Sequence, residues 1–293
     1  MMTETTPKHP WLLAIRPKTL TGAVAPVVIG ASLALHDVGE GFQWIPFILC
    51  LAFAVVMQID ANLANDYYDY LKGSDGEDRL GPKRAVSQGW ISPRAMRIAL
   101  AIVTISACII GLPLVYYGGW WLVSIGVACA IFAFLYSTLF SYIALGDLLV
   151  LIFFGIVPVG FTYYIQAQDW TLPVTLCAIA NGLVTDNLLI VNNYRDMDQD
   201  KAHNKRTLVV LTGRRTAFGL YVAFGFIAVA LTTIALYIQN SLTNAPLLLI
   251  YIAIHIITAK KMLRRSGKEL NITLGETARN IIIFAILTAI ALI

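Results

Sequence analysis

Long stretches without a charged residue constrain this chain more than any other feature. They run from Thr19 to His36, Gly41 to Ile59, Ile98 to Gly146, Leu148 to Gln168 and Thr216 to Ala259, with a tail from Asn280 to Ile293. Backbone in hydrocarbon must satisfy its own hydrogen bonds, so such runs read as membrane-spanning helices of about 20 residues each. Two runs are of double length. One breaks at Gly118-Gly119 beside Trp120 and Trp121, the other at Gln239-Asn240-Ser241 ahead of Pro246, so each predicts a helical hairpin. Trp170 to about Val191 adds a helix interrupted only by Asp186. The predicted fold is all-α: a polytopic membrane protein with nine transmembrane helices near 14–36, 44–70, 95–116, 120–142, 146–166, 171–193, 215–238, 245–262 and 275–293, in a single integral membrane domain over 1–293.

Composition agrees, since 58% of the residues are hydrophobic and 13% charged, against about 25% charged in soluble chains. That excludes an ordinary soluble enzyme. A net charge of +4 is too weak a bias for nucleic-acid binding. The 21 basic residues carry more information by position than by number. All fall before or at the start of the first predicted span, around the junctions of the second with the third, the sixth with the seventh and the eighth with the ninth, or at the start of the ninth, and none lies in the turns near 37–45, 116–121, 166–173 and 239–246. By the positive-inside rule the N-terminus and the basic loops are cytoplasmic and the C-terminus is outside, in a cytoplasmic (inner) membrane. Cys50, Cys108, Cys129 and Cys177 sit in apolar runs without CxxC spacing and are expected to be buried small hydrophobes.

The acids are as unevenly placed as the bases. The second span ends in Asn62, Asn65, Asp66 and Asp69, whose i, i+3, i+4, i+7 spacing predicts one shared helix face, and the loop beyond carries Asp75. The sixth ends in Asn192-Asn193-Tyr194-Arg195-Asp196, with Asp200 one turn on. The two clusters form a weak repeat at an offset of 127 residues, and each is followed by a Lys-Arg pair, Lys83-Arg84 and Lys205-Arg206. Two pseudo-equivalent halves, with acidic motifs at 62–75 and 192–200, would face each other across a cavity. Carboxylates so crowded repel unless a cation neutralises them, and oxygen-only ligands favour a hard ion such as Mg2+, which bridges carboxylates to substrate phosphates. Carboxylates, metal and bases together describe a diphosphate site. Asp60 and Asp186 lie deeper, where a charge must be protonated, paired or in a wet cavity.

These motifs resemble the two signatures of the UbiA-type aromatic prenyltransferase superfamily, Asn-Asp-x-x-Asp and Asp-x-x-x-Asp. Arg16-Pro17-Lys18-Thr19-Leu20, Gly81-Pro82-Lys83-Arg84-Ala85-Val86-Ser87-Gln88-Gly89, Gly146-Asp147-Leu148 with Phe153-Phe154-Gly155, and Lys205-Arg206-Thr207-Leu208 are similar to segments of its menaquinone-pathway branch, the 1,4-dihydroxy-2-naphthoate polyprenyltransferases. Two positions depart from the pattern. The third aspartate of the first motif falls at Asp75 where the superfamily's usual spacing meets Gly73, and Asn204 stands where a glycine is usual; Asn tolerates the left-handed backbone that glycine would supply.

The resemblance implies a helical bundle around a central cavity and a Mg2+-dependent transfer of a polyprenyl group from polyprenyl diphosphate to 1,4-dihydroxy-2-naphthoate, with loss of CO2. It implies Asp66, Asp69, Asp196, Asp200 and Asp75 as ligands of two Mg2+ ions, the first four also being catalytic. Lys72, Arg84, Lys201 and Arg206 would bind the diphosphate. Asn62, Asn193, Arg16 and Gln166, with Tyr67, Tyr68, Tyr163 and Tyr164, would form the pocket for the aromatic ring and the allylic cation, next to membrane lipid. Loss of Asp66 or Asp196 is expected to abolish turnover and leave folding intact. Other acceptors within the superfamily (4-hydroxybenzoate, homogentisate, haem) remain alternatives, as does a membrane transporter, although a transporter does not explain acids concentrated beside Lys-Arg pairs at helix ends.

Overall fold

In the computed structural model, residues 7–73, 79–138 and 144–293 are described, and among them there is no strand. The chain starts with α1 (Pro10–Ile15), α2 (Thr21–Val38), α3 (Trp44–Leu71), α4 (Pro93–Gly111) and α5 (Leu114–Gly118). Then follow α6 (Leu122–Thr138), α7 (Gly146–Leu151), α8 (Val157–Ala167) and α9 (Leu172–Ala202). α10 (Leu208–Thr212), α11 (Arg214–Ile238), α12 (Leu248–Arg264) and α13 (Leu270–Leu292) complete it. Among the described residues eight helices, counting α4 with α5 and α7 with α8, are long and apolar enough to cross a membrane, and α6 adds a shorter apolar one. Eight of the nine expected spans are thus present at full length in a multi-pass membrane protein, and the one expected at 120–142 is represented among the described residues by the shorter α6.

Their boundaries shift for local reasons. The first span does not begin at residue 14: the backbone turns left-handed at Arg16 (φ 54°), because Pro17 disfavours an α conformation before it, and α1 becomes a separate helix. The third span kinks at Leu112-Pro113, where proline has no N–H to continue the ladder. α7 and α8 are joined by one π turn, Ile152–Ile156. Pro158 cannot donate to the Phe154 carbonyl, and the Asn181 side-chain amide of α9 does so instead at 2.7 Å. α9 runs well past 193, so the second acidic cluster lies on the helix itself, and α13 starts at Leu270 where 275 was expected.

Apolar helices gain little by leaving lipid, so close backbone approach has to hold the bundle together. A Cβ on Gly30 of α2 would run into the Val159 carbonyl oxygen of α8, and one on Gly155 into the Ala178 carbonyl of α9. The main core accordingly joins α2, α8, α9, α11 and α13 through Ile29, Leu33, Val159, Ala178, Leu236 and Phe284. α9 is central, with 67% of its apolar window buried, while α4 is peripheral at 17% and presents Ile98, Ile102, Ile105 and Ile109 as one exposed stripe for lipid. Cys50 and Cys177 are buried as expected; Cys108, on that outer helix, is exposed instead.

The two ends of the bundle differ in chemistry. At the end opposite the basic loops, exposed Tyr116, Trp120, Trp121, Trp170 and Tyr237 form an aromatic belt. Neutral amides link the helices there: the Gln43 N–H donates to Gln166 Oε1 at 2.9 Å, and Gln239 Nε2 to Asp37 at 2.9 Å. The charged end is held by ion pairs, such as Glu276 of α13 between Lys261 (2.7 Å) and Arg265 (2.6 Å).

Candidate active site between the two acidic helices

α3 and α9 extend beyond their apolar parts into the charged end, and this carries their acidic motifs to one cavity of about 1350 Å3. Asn62 and Asp69 of α3 line it together with Asn193, Asp196 and Asp200 of α9. Arg16, Arg84, Arg195 and Lys205 bring positive charge to the same walls. Away from that polar end the lining becomes apolar, with Phe53, Met57, Phe132, Phe153, Phe154 and Phe161. Toward α4, α5 and α6 the cavity reaches Leu112, Val123 and Val127, which are exposed.

Each of the three motif carboxylates on the cavity is matched to a base. Asp69 accepts from Arg84 Nη2 at 2.6 Å. Asp196 takes both Nε (2.7 Å) and Nη2 (2.5 Å) of the adjacent Arg195, whose guanidinium also reaches Asn192 (2.8 Å) and Asn271 of α13 (2.6 Å). Asp200 pairs with Lys205 at 3.2 Å, while its buried Oδ2 has no hydrogen-bond partner. Asn62 Nδ2 donates to the Ile15 carbonyl (2.7 Å) and Thr19 Oγ1 (2.9 Å), tying the α1 turn to α3.

Asp66 stands apart. It is buried, does not line the cavity, and its two oxygens accept the backbone N–H groups of Ala85 (3.0 Å) and Val86 (3.1 Å). Its carboxylate pins the loop that carries Arg84. The shared helix face is wide enough that its flank, where Asp66 lies, meets this loop while its middle meets the cavity.

Several other expected residues are also elsewhere. Tyr163 is at the opposite end, its hydroxyl donating to Asp37 at 2.6 Å; Tyr164 packs on Trp121 and Gln166 bonds the Gln43 backbone in the same region. They follow the Phe-rich wall in sequence, but α8 carries them two turns further from the charged end. Tyr67 packs against Tyr68 in the cluster around Leu63 and Met96 and does not line the cavity. Lys201 and Arg206 are exposed and outside the lining. The base that turns inward is Lys205: α9 ends, Asn204 adopts φ 54° as expected for the glycine position, and the Lys205 N–H closes onto the Asp200 carbonyl at 2.8 Å. Lys72 is exposed at the end of α3; desolvation draws its ammonium below the ordinary lysine range, with Asp69 opposing that shift and Lys205 reinforcing it. An α3 lysine thus feels a charge that follows α9, which brings the two motifs within electrostatic reach of each other. Asp75 lies outside the described residues. Arg195 stands in the second motif and Lys205 in the Lys-Arg pair read from the sequence, but neither is given a site role there, and nothing local marks Asn271.

The donor chemistry fits a magnesium ion. Asp69, Asp196 and Asp200 supply hard oxygens on one cavity, and Asp200 Oδ2 is buried with a lone pair unused. No three acids, histidines or cysteines among the described residues close a metal site by themselves. That suits Mg2+, which completes its shell with water and phosphate oxygens.

Comparison with known proteins agrees with this geometry. The model of the UbiA prenyltransferase family matches residues 23–274. A 1,4-dihydroxy-2-naphthoate octaprenyltransferase of Mycobacterium leprae is 33% identical over 289 residues, covering 96% of this chain and 95% of that one. The protein of the same name from Escherichia coli K12 is 38% identical over 216 residues, 71% of this chain and 70% of its own. A UbiA homolog from Archaeoglobus fulgidus, solved bound to GPP and Mg2+, superposes with a TM-score of 0.64 at 16% identity, covering 97% of this chain and 99% of its own, a likeness of fold. Motifs, bundle and family match together make this chain a member of the UbiA prenyltransferase family.

Proposed function

We propose that the protein transfers a polyprenyl group from polyprenyl diphosphate to 1,4-dihydroxy-2-naphthoate, with loss of CO2, to give a demethylmenaquinol for menaquinone biosynthesis. The observation that carries this reading is one cavity with paired acids and bases at one end and a phenylalanine-lined body. The name shared by the Mycobacterium leprae and Escherichia coli relatives supports the acceptor. GPP and Mg2+ in the Archaeoglobus fulgidus homolog support the donor class and the ion.

Arg84 and Lys205 hold the diphosphate oxygens and shield its charge. Asp69, Asp196 and Asp200 would hold Mg2+, which supplies further neutralisation of the leaving diphosphate. Departure of diphosphate leaves an allylic cation. Phe153, Phe154 and neighbouring rings exclude water from it and present π faces, a role that replaces the one expected of Tyr67 and Tyr163. The ring carbon bearing the carboxylate forms the new C–C bond, and the C–CO2 bonding pair returns to the ring as CO2 departs, restoring aromaticity. The polyprenyl tail lies in the apolar body. We further read residues 1–293 as one catalytic unit with pseudo-equivalent acidic helices, set in the cytoplasmic membrane with its N-terminus and basic loops in the cytoplasm and its C-terminus outside.

Purified protein incubated with polyprenyl diphosphate, dihydroxynaphthoate and Mg2+ is expected to yield prenylated, decarboxylated product, and EDTA to stop it. Absence of product, or turnover that survives EDTA, would sink this reading.

A further inference from the structure

Asn271, in the first turn of α13, lies outside the cavity lining yet is bonded to two of the segments around its charged end. Its Oδ1 accepts from Arg195 Nη1 of α9 at 2.6 Å, and its Nδ2 donates to the Leu80 carbonyl at 2.9 Å and to the Lys268 carbonyl at 2.9 Å. The amide has one workable orientation, because turning it over would set N–H against guanidinium and oxygen against two carbonyls.

Arg195 lines the cavity, and its side chain is 1% exposed. Adjacent residues on a helix point about 100° apart, so Arg195 and Asp196 do not face each other by default. Arg195 reaches both Asp196 oxygens only by lying back across the helix, with Nε and Nη2 on Asp196, Nη2 also on Asn192 and Nη1 on Asn271. Asn192 and Asp196 belong to α9 itself, so Asn271 is what fixes the guanidinium relative to the rest of the bundle. Gly81 closes on the same group, since a Cβ there would stand 2.8 Å from Arg195 Nη2. Leu80 and Gly81 lead into the loop that carries Arg84, the partner of Asp69 on α3. One amide thus anchors the second motif and the base that serves the first. Without it, Arg195 is free to straighten off Asp196, and a diphosphate would have to order these groups on binding.

We propose that Asn271 is a positioning residue for the diphosphate end of the cavity: it holds Arg195 folded over Asp196 and the Arg84 loop against Arg195, and so supports donor binding and turnover without touching substrate. This rests on the reading of that end as the diphosphate site.

The test is a double-mutant cycle of Asn271→Ala with Arg195→Lys, which keeps the charge but lacks the planar fork that joins Asp196 to Asn271. It reads kcat and the KM of each substrate, together with the Kd of inorganic diphosphate in the presence of Mg2+, which needs no turnover. Alone, Asn271→Ala should lower kcat/KM for polyprenyl diphosphate and weaken inorganic diphosphate at least about ten-fold, while the KM of the aromatic acceptor stays within about two-fold. Combined with Arg195→Lys, it should change the diphosphate Kd by less than about two-fold. Asn271→Ser, too short to reach Arg195, takes its place if Asn271→Ala does not fold. A contact that served folding alone would lower the melting temperature and leave the donor KM and the diphosphate Kd unchanged. That result, or equal losses in the two backgrounds, would overturn the inference. A wild type that binds diphosphate but makes no product would overturn the proposed acceptor chemistry while the Kd still decides the role of Asn271, and one that binds no diphosphate would overturn both.

Discussion

The acidic ends of α3 and α9 look alike in sequence, yet they differ in what their carboxylates touch. On α9 both acids face the cavity, Asp196 clasped by Arg195 and Asp200 paired with Lys205. On α3 only Asp69 does; Asp66 is turned onto the Ala85 and Val86 N–H groups. Helix geometry allows the split, since residues three apart diverge by roughly 60° and residues four apart by roughly 40°. The divergent acid of α3 meets two backbone N–H groups of a loop, whereas the α9 acids meet the side chains of Arg195 and Lys205. One motif thus divides its acids between building the site and lining it, whereas the other commits both to the lining.

This contrast breaks most easily through Asp200. Its Oδ2 has no partner, and Lys205, 24% exposed at its side chain, can turn to water if the carboxylate is lost. Asp200→Asn is expected to lower turnover by at least about 100-fold, some 2.7 kcal/mol of barrier, with an unchanged melting temperature in detergent. A variant that retained most of its activity would remove Asp200 from the proposed site. Asp66→Ala should behave in the opposite way, leaving two buried N–H groups unsatisfied at a cost of about 2 kcal/mol or more. Thermal unfolding would register this as a clear drop, revising the expectation that its loss spares folding. If Asp66→Ala instead lost turnover at full thermal stability, the division of labour would collapse.

Smaller effects sharpen the same picture on the α9 side. Lys205→Ala should raise the KM of polyprenyl diphosphate about ten-fold, as expected for a charged hydrogen bond, while Lys201→Ala, at an exposed position, should stay within about two-fold. Equal effects in steady-state kinetics would mean that the turn does not select between them. Smallest of all, Asn204→Gly should change stability by less than about 1 kcal/mol. Relief of the left-handed backbone at φ 54° is offset by the extra freedom of glycine in the unfolded chain. A large loss in unfolding would show that the Asn204 side chain does more than tolerate its backbone angle.

Much of this molecule is local in origin and therefore legible from residues alone. The charge-free runs, the Gly118-Gly119 break, Pro113 and the placement of Lys and Arg mark out the apolar helices and gather the charge at one end of them, because burial in lipid and backbone satisfaction act segment by segment. The motif spacings determine which residues share a face, and Asn204 shows that even a glycine replacement can be read correctly when the constraint is a single backbone angle.

What the sequence could not decide depends on which neighbour reaches a side chain first. Tyr163 is on the right helix but at the wrong depth, and its partner Asp37 is 126 residues away. Lys205 enters the cavity and Lys201 does not, because the end of α9 reverses the chain between them. Asn271 holds Arg195 from 76 residues further on. Spacing specifies the face of a helix, and only tertiary packing specifies what stands against that face. The sequence by itself determined that this is a membrane bundle carrying paired acids at its charged end. The tertiary structure alone decided that Asp66 serves the loop while Asp69, Asp196 and Asp200 serve the cavity, since a carboxylate goes to whichever donors the packed neighbours bring within hydrogen-bond reach.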